Sequence, residues 1–431
     1  MSTPRTPGPR RRRLHLAAAC GALLSAAACK STFNDIIAVD PQDRVSESAL
    51  FGDPAQAGLL TTSVQAQLEC SLGTYTLDAG LLVNELNSLG ATQMFSLDSH
   101  QPDRAGGFSG QYATTDCTST GSVGIYVPLS SARWLADKVI TALEGWTDAQ
   151  VANRALLIAT AAAYSGYAHV LMGEGFGSMA LDGGPELTPA QVFAKAEEKF
   201  TKAMTSAQAA TGAAATDMLN LARLGRARAR INLGKTADAL ADAQGVPAGY
   251  VKNATRAAGS TLRENQLFTN INRAASAGIG PDYFNVQFNG KRDPRVPADS
   301  IGPLTAGVLR YAQSKYTTEA SPIPIATSAE AQLIIAEIQG GQAAVDIINA
   351  LHAAVGLDPF SSTDPAQIQS QIIEERRRQF FLDGHRIWDK IRFDLPLNPS
   401  AGAPYRWGGV HGSAKCLPLP DIERNNNPNF H

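Results

Sequence analysis

Small apolar side chains recur at helical spacing through the middle of the chain. Leu156, Ala159, Ala163, Gly166 and Val170 step by three and four residues, so they share one helix face. Phe193, Ala196, Phe200, Ala203 and Ala207 repeat that stepping. They follow Thr188-Pro189-Ala190-Gln191, which reads as an N-cap, a first-turn proline and a capping-box glutamine. A third segment from about Thr216 to Leu233 stops at Gly234, and a short partner runs from Thr236 to Gln244. Ala329 to Gln339 and Ala343 to Ala353 form a further pair across Gly340-Gly341. Side chains this small let helices approach closely. Ala227, Gly234 and Ala239 sit at the spacing of the small positions of a tetratricopeptide repeat, although its aromatic positions are missing. The pattern predicts a mostly α fold, a tetratricopeptide-like array of helix pairs.

Two regions interrupt it. Cys70 to Val127 is rich in Gly, Ser and Thr, and Ala257 to Pro324 carries many Gly and Pro with scattered aromatics. Long irregular segments in a compact domain are usually functional loops. Both regions are therefore expected to be loop insertions.

The last strong helical signal starts at Asp364, an N-cap before Pro365, with Gln367 at the capping-box position. Ile368, Ile372, Ile373, Phe380 and Phe381 supply a buried stripe, Glu374 and Arg378 an i, i+4 pair, and Gly384 a left-handed stop. On physics alone this is a capped amphipathic helix with a solvated Arg-rich face.

At the start of the chain, Arg10 to Arg13 precede an apolar run from Leu14 to Ala28, which is short for a membrane span. Ala26-Ala27-Ala28-Cys29 then predicts lipoprotein processing, with residues 1–28 removed and Cys29 acylated. Lys+Arg would fall from 37 to 32 against 39 Asp+Glu, a charge of about −7 that opposes nucleic-acid binding. Export places Cys70, Cys117 and Cys416 in an oxidising compartment. Cys70 and Cys117 flank the first irregular region and are expected to pair, leaving Cys416 as the odd thiol. No cysteine or histidine spacing indicates a metal, and no cofactor motif is present.

The segment from Glu374 to Arg392 resembles the signature of the SusD/RagB family. That signature runs Glu-Arg-Arg-Arg-Glu, two or three apolar residues, Glu-Gly-His-Arg, then aromatic-Asp-Leu-Arg-Arg. Glu375, Arg376, Arg377, Arg378, Gly384, His385, Arg386, Trp388, Asp389 and Arg392 match it. Gln379 and Asp383 stand where Glu is frequent. Further likeness lies in Tyr126 to Asp137, in Asp293-Pro294-Arg295, in Ser328 to Glu337, and in Leu417-Pro418-Leu419-Pro420 with Asn427-Pro428-Asn429.

The resemblance implies a SusD-like domain over 46–431 behind a tether at 29–45. It implies a surface lipoprotein of the outer membrane, facing the exterior. Such a protein captures glycans or other oligomers for a SusC-like TonB-dependent transporter, without catalysis or cofactor. Glu375, Arg378, Gly384 and Arg386 would be structural. Ligand contacts would come from the loop after the first helix, about Leu81 to Gln111, and from the insert at Pro281 to Tyr316. These hold Asn84, Asn87, Gln93, Phe95, Tyr283, Phe284, Arg292 and Tyr311, with Trp407 in reserve. A periplasmic lipid-anchored repeat scaffold is the other binding role such an array could fill. An enzyme is disfavoured: Glu374 and Glu375 are neighbours on a helix and do not face one site, and nearby arginines would keep Glu375 ionised.

Overall fold

The computed structural model describes residues 47–103, 115–117, 124–303 and 308–429. The expected signal segment, Cys29 and the tether lie outside the described residues. A short helix, Glu47–Phe51, belongs to the unit that ends at Gly52. Residues Asp53–His431 form a second, larger unit.

Ten of the helices among the described residues carry the larger unit: α1 (Ala57–Leu82), α2 (Tyr126–Gly145), α3 (Arg154–Gly175), α4 (Pro189–Gln208), α5 (Ala213–Asn232), α6 (Thr236–Gln244), α7 (Ser328–Gln339), α8 (Gly341–Ala354), α9 (Pro365–Gln379) and α10 (Arg386–Arg392); two short ones, Phe95–Asp98 and Asp421–Asn426, lie outside the array. The small-residue helix α3 lies at the centre, packed on α1, α2, α4 and α5. It is long and apolar enough to cross a membrane, but most of it is buried inside the fold, as a core helix would be. The array continues through α5–α6, α6–α7 and α7–α8, and α9 lies on both α7 and α8.

The capping box of α4 is formed as read, with Thr188 and Gln191 satisfying each other's backbone amides. Inside, Phe200 of α4 is wedged between glycines of two neighbouring helices. A Cβ at Gly166 would lie 2.6 Å from its ring, and one at Gly225 only 2.3 Å away. Gly166, read as a small packing position, is thus one slot for an aromatic ring, and Gly225 is a second that the stepping did not mark.

The first irregular region is corrected. Cys70 sits in the middle of the 26-residue helix α1, and Tyr126 opens α2. From Leu68 onward helix α1 is buried nearly all round, so this half has no polar face to reveal its period. Two of its threonines are satisfied locally: Thr61 donates to the Ala57 carbonyl and Thr76 to Leu72, both at 2.9 Å. A disulfide joins Cys70 to Cys117, with their Cα atoms 6.2 Å apart, and Cys416 is a free thiol.

The second region is also more ordered than its composition suggests. The described strands form five two-stranded antiparallel ribbons. Two lie outside the insert or at its ends: β2 (Met179–Ala180) with β3 (Glu186–Leu187), and β4 (Val251–Ala254) with β10 (Ile323–Thr327). Two lie within it: β6 (Gln287–Phe288) with β7 (Lys291–Arg292), and β8 (Ala298–Pro303) with β9 (Leu309–Gln313). The fifth pairs β1 (Leu86–Ser88) with β5 (Ala277–Ile279), matching Leu86 to Ile279 and Ser88 to Ala277. This ribbon ties the loop after α1 to the insert. At its end, Gly280 passes so close to Asn84 that a Cβ would lie 2.1 Å from the Asn84 carbonyl oxygen.

Helix α9 starts at Asp364 as expected, with its carboxylate accepting from the Ala366 amide at 2.9 Å. Gln367 does not complete a capping box; its amide oxygen accepts from Ser362 instead. The helix ends at Gln379, earlier than Gly384. Phe380 to Gly384 form a buried turn in which Leu382 and Gly384 both take left-handed φ, +59° and +81°. Glu85 holds this turn by accepting the Leu382 amide at 3.0 Å.

Candidate ligand surface

The Arg-rich face of α9 is not solvated. Glu375 is fully buried, and Arg376 and Arg378 nearly so. Glu375 accepts from Arg295 at 2.6 Å and from His352 at 2.8 Å. Arg295 in turn bonds Asp293 at 2.7 Å, so the Asp-Pro-Arg of the insert is the partner of the α9 motif. Burial pushes the Glu375 carboxyl up, but His352 and Arg295 outweigh it and hold it below the ordinary carboxylate range.

The preferred partner of Glu374 is Arg377 at 2.6 Å rather than Arg378, which lies 3.6 Å from both Glu374 and Asp293. Arg376 pairs with Asp389 at 2.8 Å, and Arg392 with Glu337. Across the core, Arg228 of α5 bonds Glu174 of α3 at 2.5 Å and His385 at 2.9 Å. Gly384 faces α1, where a Cβ would meet Tyr75 and Thr76 at 3.2 Å. Arg386 is half-buried and its Nη1 has no hydrogen-bond partner among the described residues. These groups form an internal ionic joint between α9, the array and the insert. Glu375 is buried among its partners, and the partly exposed Glu374 is paired with Arg377.

Five of the eight residues expected to touch ligand, Gln93, Phe95, Phe284, Arg292 and Tyr311, reach the surface, three of them in two stacked aromatic units. Phe284 lies on Tyr311 with ring centroids 3.5 Å apart and planes 13° from parallel. Phe95 lies on Trp407 at 5.5 Å and 8°. All four rings are half-buried, so each stack keeps part of its area open. The Trp407 indole nitrogen also reaches the Ser88 carbonyl of β1 at 3.4 Å. Strand β9, which carries Tyr311, packs against β5, and β5 is paired to β1. The two stacks therefore belong to one small sheet system. Gln93 and Arg292 are exposed, and Arg292 donates to the Ala298 carbonyl and pairs with Asp299, both within the insert.

The remaining expected residues are structural. Tyr283 is 2% exposed, packed on Phe381 at 5.4 Å beneath the Arg377 guanidinium. Asn84 is buried at a left-handed φ of +61°, where the chain leaves α1. Asn87 is buried with its amide 3.0 Å from the Gly278 carbonyl and 3.2 Å from that of Ile279, with the NH2 group turned to both. It fastens the β1–β5 ribbon.

Beneath the Phe95–Trp407 stack lies a polar cluster that the sequence did not reveal. Tyr405 donates to Asp98 at 2.8 Å, and His100 and His411 face each other at 5.0 Å. Burial raises Asp98 to about 6 and lowers His100 to about 4. The pairing of residues near 100 with residues near 410 leaves no local signal in the sequence.

A family model described as the SusD family matches residues 326–429. No curated protein matches the chain. Among solved structures, a SusD superfamily protein from Bacteroides vulgatus ATCC 8482 superposes with a TM-score of 0.64 at 12% identity, covering 88% of this chain and 98% of that one. A SusD superfamily protein from Bacteroides fragilis gives 0.63 at 14% identity, with 89% and 100% covered. Surface glycan-binding protein A from Bacteroides thetaiotaomicron, in complex with laminarihexaose, gives 0.60 at 14% identity, with 87% and 98% covered. At these identities the likeness establishes the fold.

Proposed function

Taking the chain as a SusD/RagB-family protein, on its C-terminal match and its fold, we propose that it is a non-catalytic glycan-binding protein of the outer-membrane surface. It holds oligosaccharide on the loop surface and passes it to a SusC-like TonB-dependent transporter. Cys29 is its lipid anchor, and the exterior is the side it faces.

The observation that carries this reading is the pair of half-open aromatic stacks, Phe284–Tyr311 and Phe95–Trp407, on loops joined by one ribbon. Flat rings cover the apolar C–H faces of sugar rings, and nearby polar side chains bond the hydroxyls. Gln93 and Arg292 are exposed in the same two loops and supply such groups. A surface lined by ring faces favours extended oligomers over single sugars, because each stack offers one platform. The glycan-bound protein of the same fold supports this class of ligand.

Affinity electrophoresis in gels containing soluble glycans tests the reading. The wild type should be retarded by at least one polysaccharide, and the Trp407→Ala/Tyr311→Ala variant should run as in a blank gel while still melting cooperatively, only a few degrees below the wild type. Equal retardation of both proteins would remove the loop surface from the function. Protease treatment of intact cells should degrade the protein; full protection would favour the periplasmic scaffold instead.

A further inference from the structure

A second concavity lies on the helix array, remote in sequence from the aromatic loops. It has a volume of about 390 Å³, within the range of small-molecule pockets. Helices α2, α3 and α4 supply its floor and one side, and the β2–β3 hairpin supplies the other.

Two groups on the floor are buried and chemically unspent. Arg133 is 4% exposed; its Nη1 bonds Asp182 at 2.7 Å, but its Nε–H has no partner among the described residues. His169 is almost fully buried in α3, and its Nδ1 lies 2.8 Å from the Ser165 carbonyl. A carbonyl only accepts, so Nδ1 carries the proton and Nε2 keeps its lone pair. Burial holds this imidazole neutral, with its pKa lowered to about 4. The floor thus offers one donor and one acceptor.

The charges of the whole lining balance too. Arg133 on the floor with Lys195 and Lys199 is matched by Asp137, Asp182 and Glu198, so the concavity has no net charge to select an anion or a cation. Leu181, Pro185 and Leu187 give it an apolar wall. Alternating donors and acceptors suit hydroxyl groups, each of which does both, and an apolar wall suits C–H faces.

The wall is also held in place from outside. Asn427 donates to the Gly184 carbonyl at 2.7 Å and Asn429 to that of Gly183 at 2.6 Å. Two asparagines from another part of the chain fix the hairpin turn that closes the concavity. A preformed cavity is what a small ligand needs, because the ordering cost is met before it arrives.

We propose that this concavity is a second binding site, which takes a neutral, hydroxyl-rich ligand the size of one or two sugar rings. Arg133 Nε and His169 Nε2 bond its hydroxyls at the floor, and Lys195 and Glu198 bond them at the rim. The site differs from the loop surface in chemistry, since it has no aromatic platform, and in capacity, since it is a pocket rather than an open face. It stands or falls independently of the loop reading.

The test is an NMR titration of isotopically labelled protein carrying Trp407→Ala/Tyr311→Ala, so that the loop surface is silent. Glucose, galactose, maltose and cellobiose are the probes, with glucuronate as the charged control. At least one neutral sugar should shift the Gly184 and Lys195 amides in a saturable way. Arg133→Met removes the floor donor but also breaks the Asp182 pair. The exposed double variant Lys195→Ala/Glu198→Ala, which leaves the fold intact, therefore carries the comparison and should weaken the titration at least tenfold. Absence of saturable shifts with all four neutral sugars overturns the proposal. So does binding of glucuronate ten times tighter than any of them, which would make the concavity an anion site.

Discussion

The insert serves two regions with opposite treatment of their polar and aromatic groups. Its inward residues, Tyr283, Asp293, Arg295 and Tyr316, lock onto α9 and the turn after it: Arg295 on Glu375, Tyr283 on Phe381, Tyr316 on Asp383 at 2.7 Å. Its outward residues, Phe284, Tyr311 and Arg292, remain at the surface. Neighbours such as Tyr283 and Phe284 fall on opposite sides. The ionic joint is what allows the loop surface to be open, because the insert gains its order from the buried side. The buried charge of α9 and the insert is structural, and the exposed aromatic area is the part proposed to meet ligand.

The largest effect should come from breaking the joint. Glu375→Gln removes the anion between Arg295 and His352, which leaves His352 without a counter-charge and Arg295 with Asp293 alone. Removing one partner of a buried ion pair costs about 3–5 kcal/mol. Chemical denaturation should show that loss, while glycan retardation per folded molecule stays at the wild-type level. Lost binding with full stability would place the motif in the ligand surface and erase the contrast.

A smaller effect divides two tyrosines of the same insert. Tyr283→Ala should behave as a core truncation, costing about 3 kcal/mol with little change in retardation. Tyr311→Ala should cost only about 1 kcal/mol, the scale of one aromatic pair, and should lose most of the retardation. If the two variants behave alike, the insert has no inner and outer side in energetic terms.

The smallest effect is in pH dependence. Burial lowers His100 and His169 to about 4, so between about pH 6.5 and 4 the unfolded chain binds more protons at these positions and stability falls with pH. Burial raises Glu85 to about 7 and Asp98 to about 6, so over much of the same window the folded chain binds more protons there and stability rises as pH falls. The two pairs oppose each other, and the wild-type melting temperature should change little from pH 7 to 5. In the variant His100→Gln/His169→Gln the carboxyls act alone, and calorimetry should show melting rising by a few degrees over that interval. A fall would show that the two carboxyls are ionised in the folded chain. The joint responds at lower pH: Asp293 and Glu375 are held below the ordinary range, so their contribution is complete above about pH 4.5 and is lost below it.

Much of the array was legible because α3 to α6 follow the helical period and carry ordinary stops. Thr188 and Asp364 could be read as caps because capping is local chemistry. The second half of α1 escaped because, besides its burial, Ser71, Gly73, Thr74 and Thr76 read as loop composition, whereas the equally buried α3 keeps a regular step of small residues. The resemblance pointed to these two loops but could not separate Tyr283 from Phe284, since adjacent positions differ only by the side to which the backbone turns them. Asn84 and Asn87 looked like sugar contacts, whereas one serves a left-handed backbone position and the other a ribbon. Trp407 could be named, but its stack with Phe95 joins residues from distant parts of the chain. Arg133 and His169 gave no signal at all, because a lone basic residue on an apolar helix reads as packing.

The asparagine clasp on the β2–β3 turn has a consequence in time. Residues 427–429 are made more than 240 residues after the glycine carbonyls that they hold. During synthesis or export the helices around the concavity can therefore assemble while its outer wall still lacks its fastening. A molecule halted before residue 427 would lack both bonds to the hairpin turn and carry the scaffold with an unlatched door.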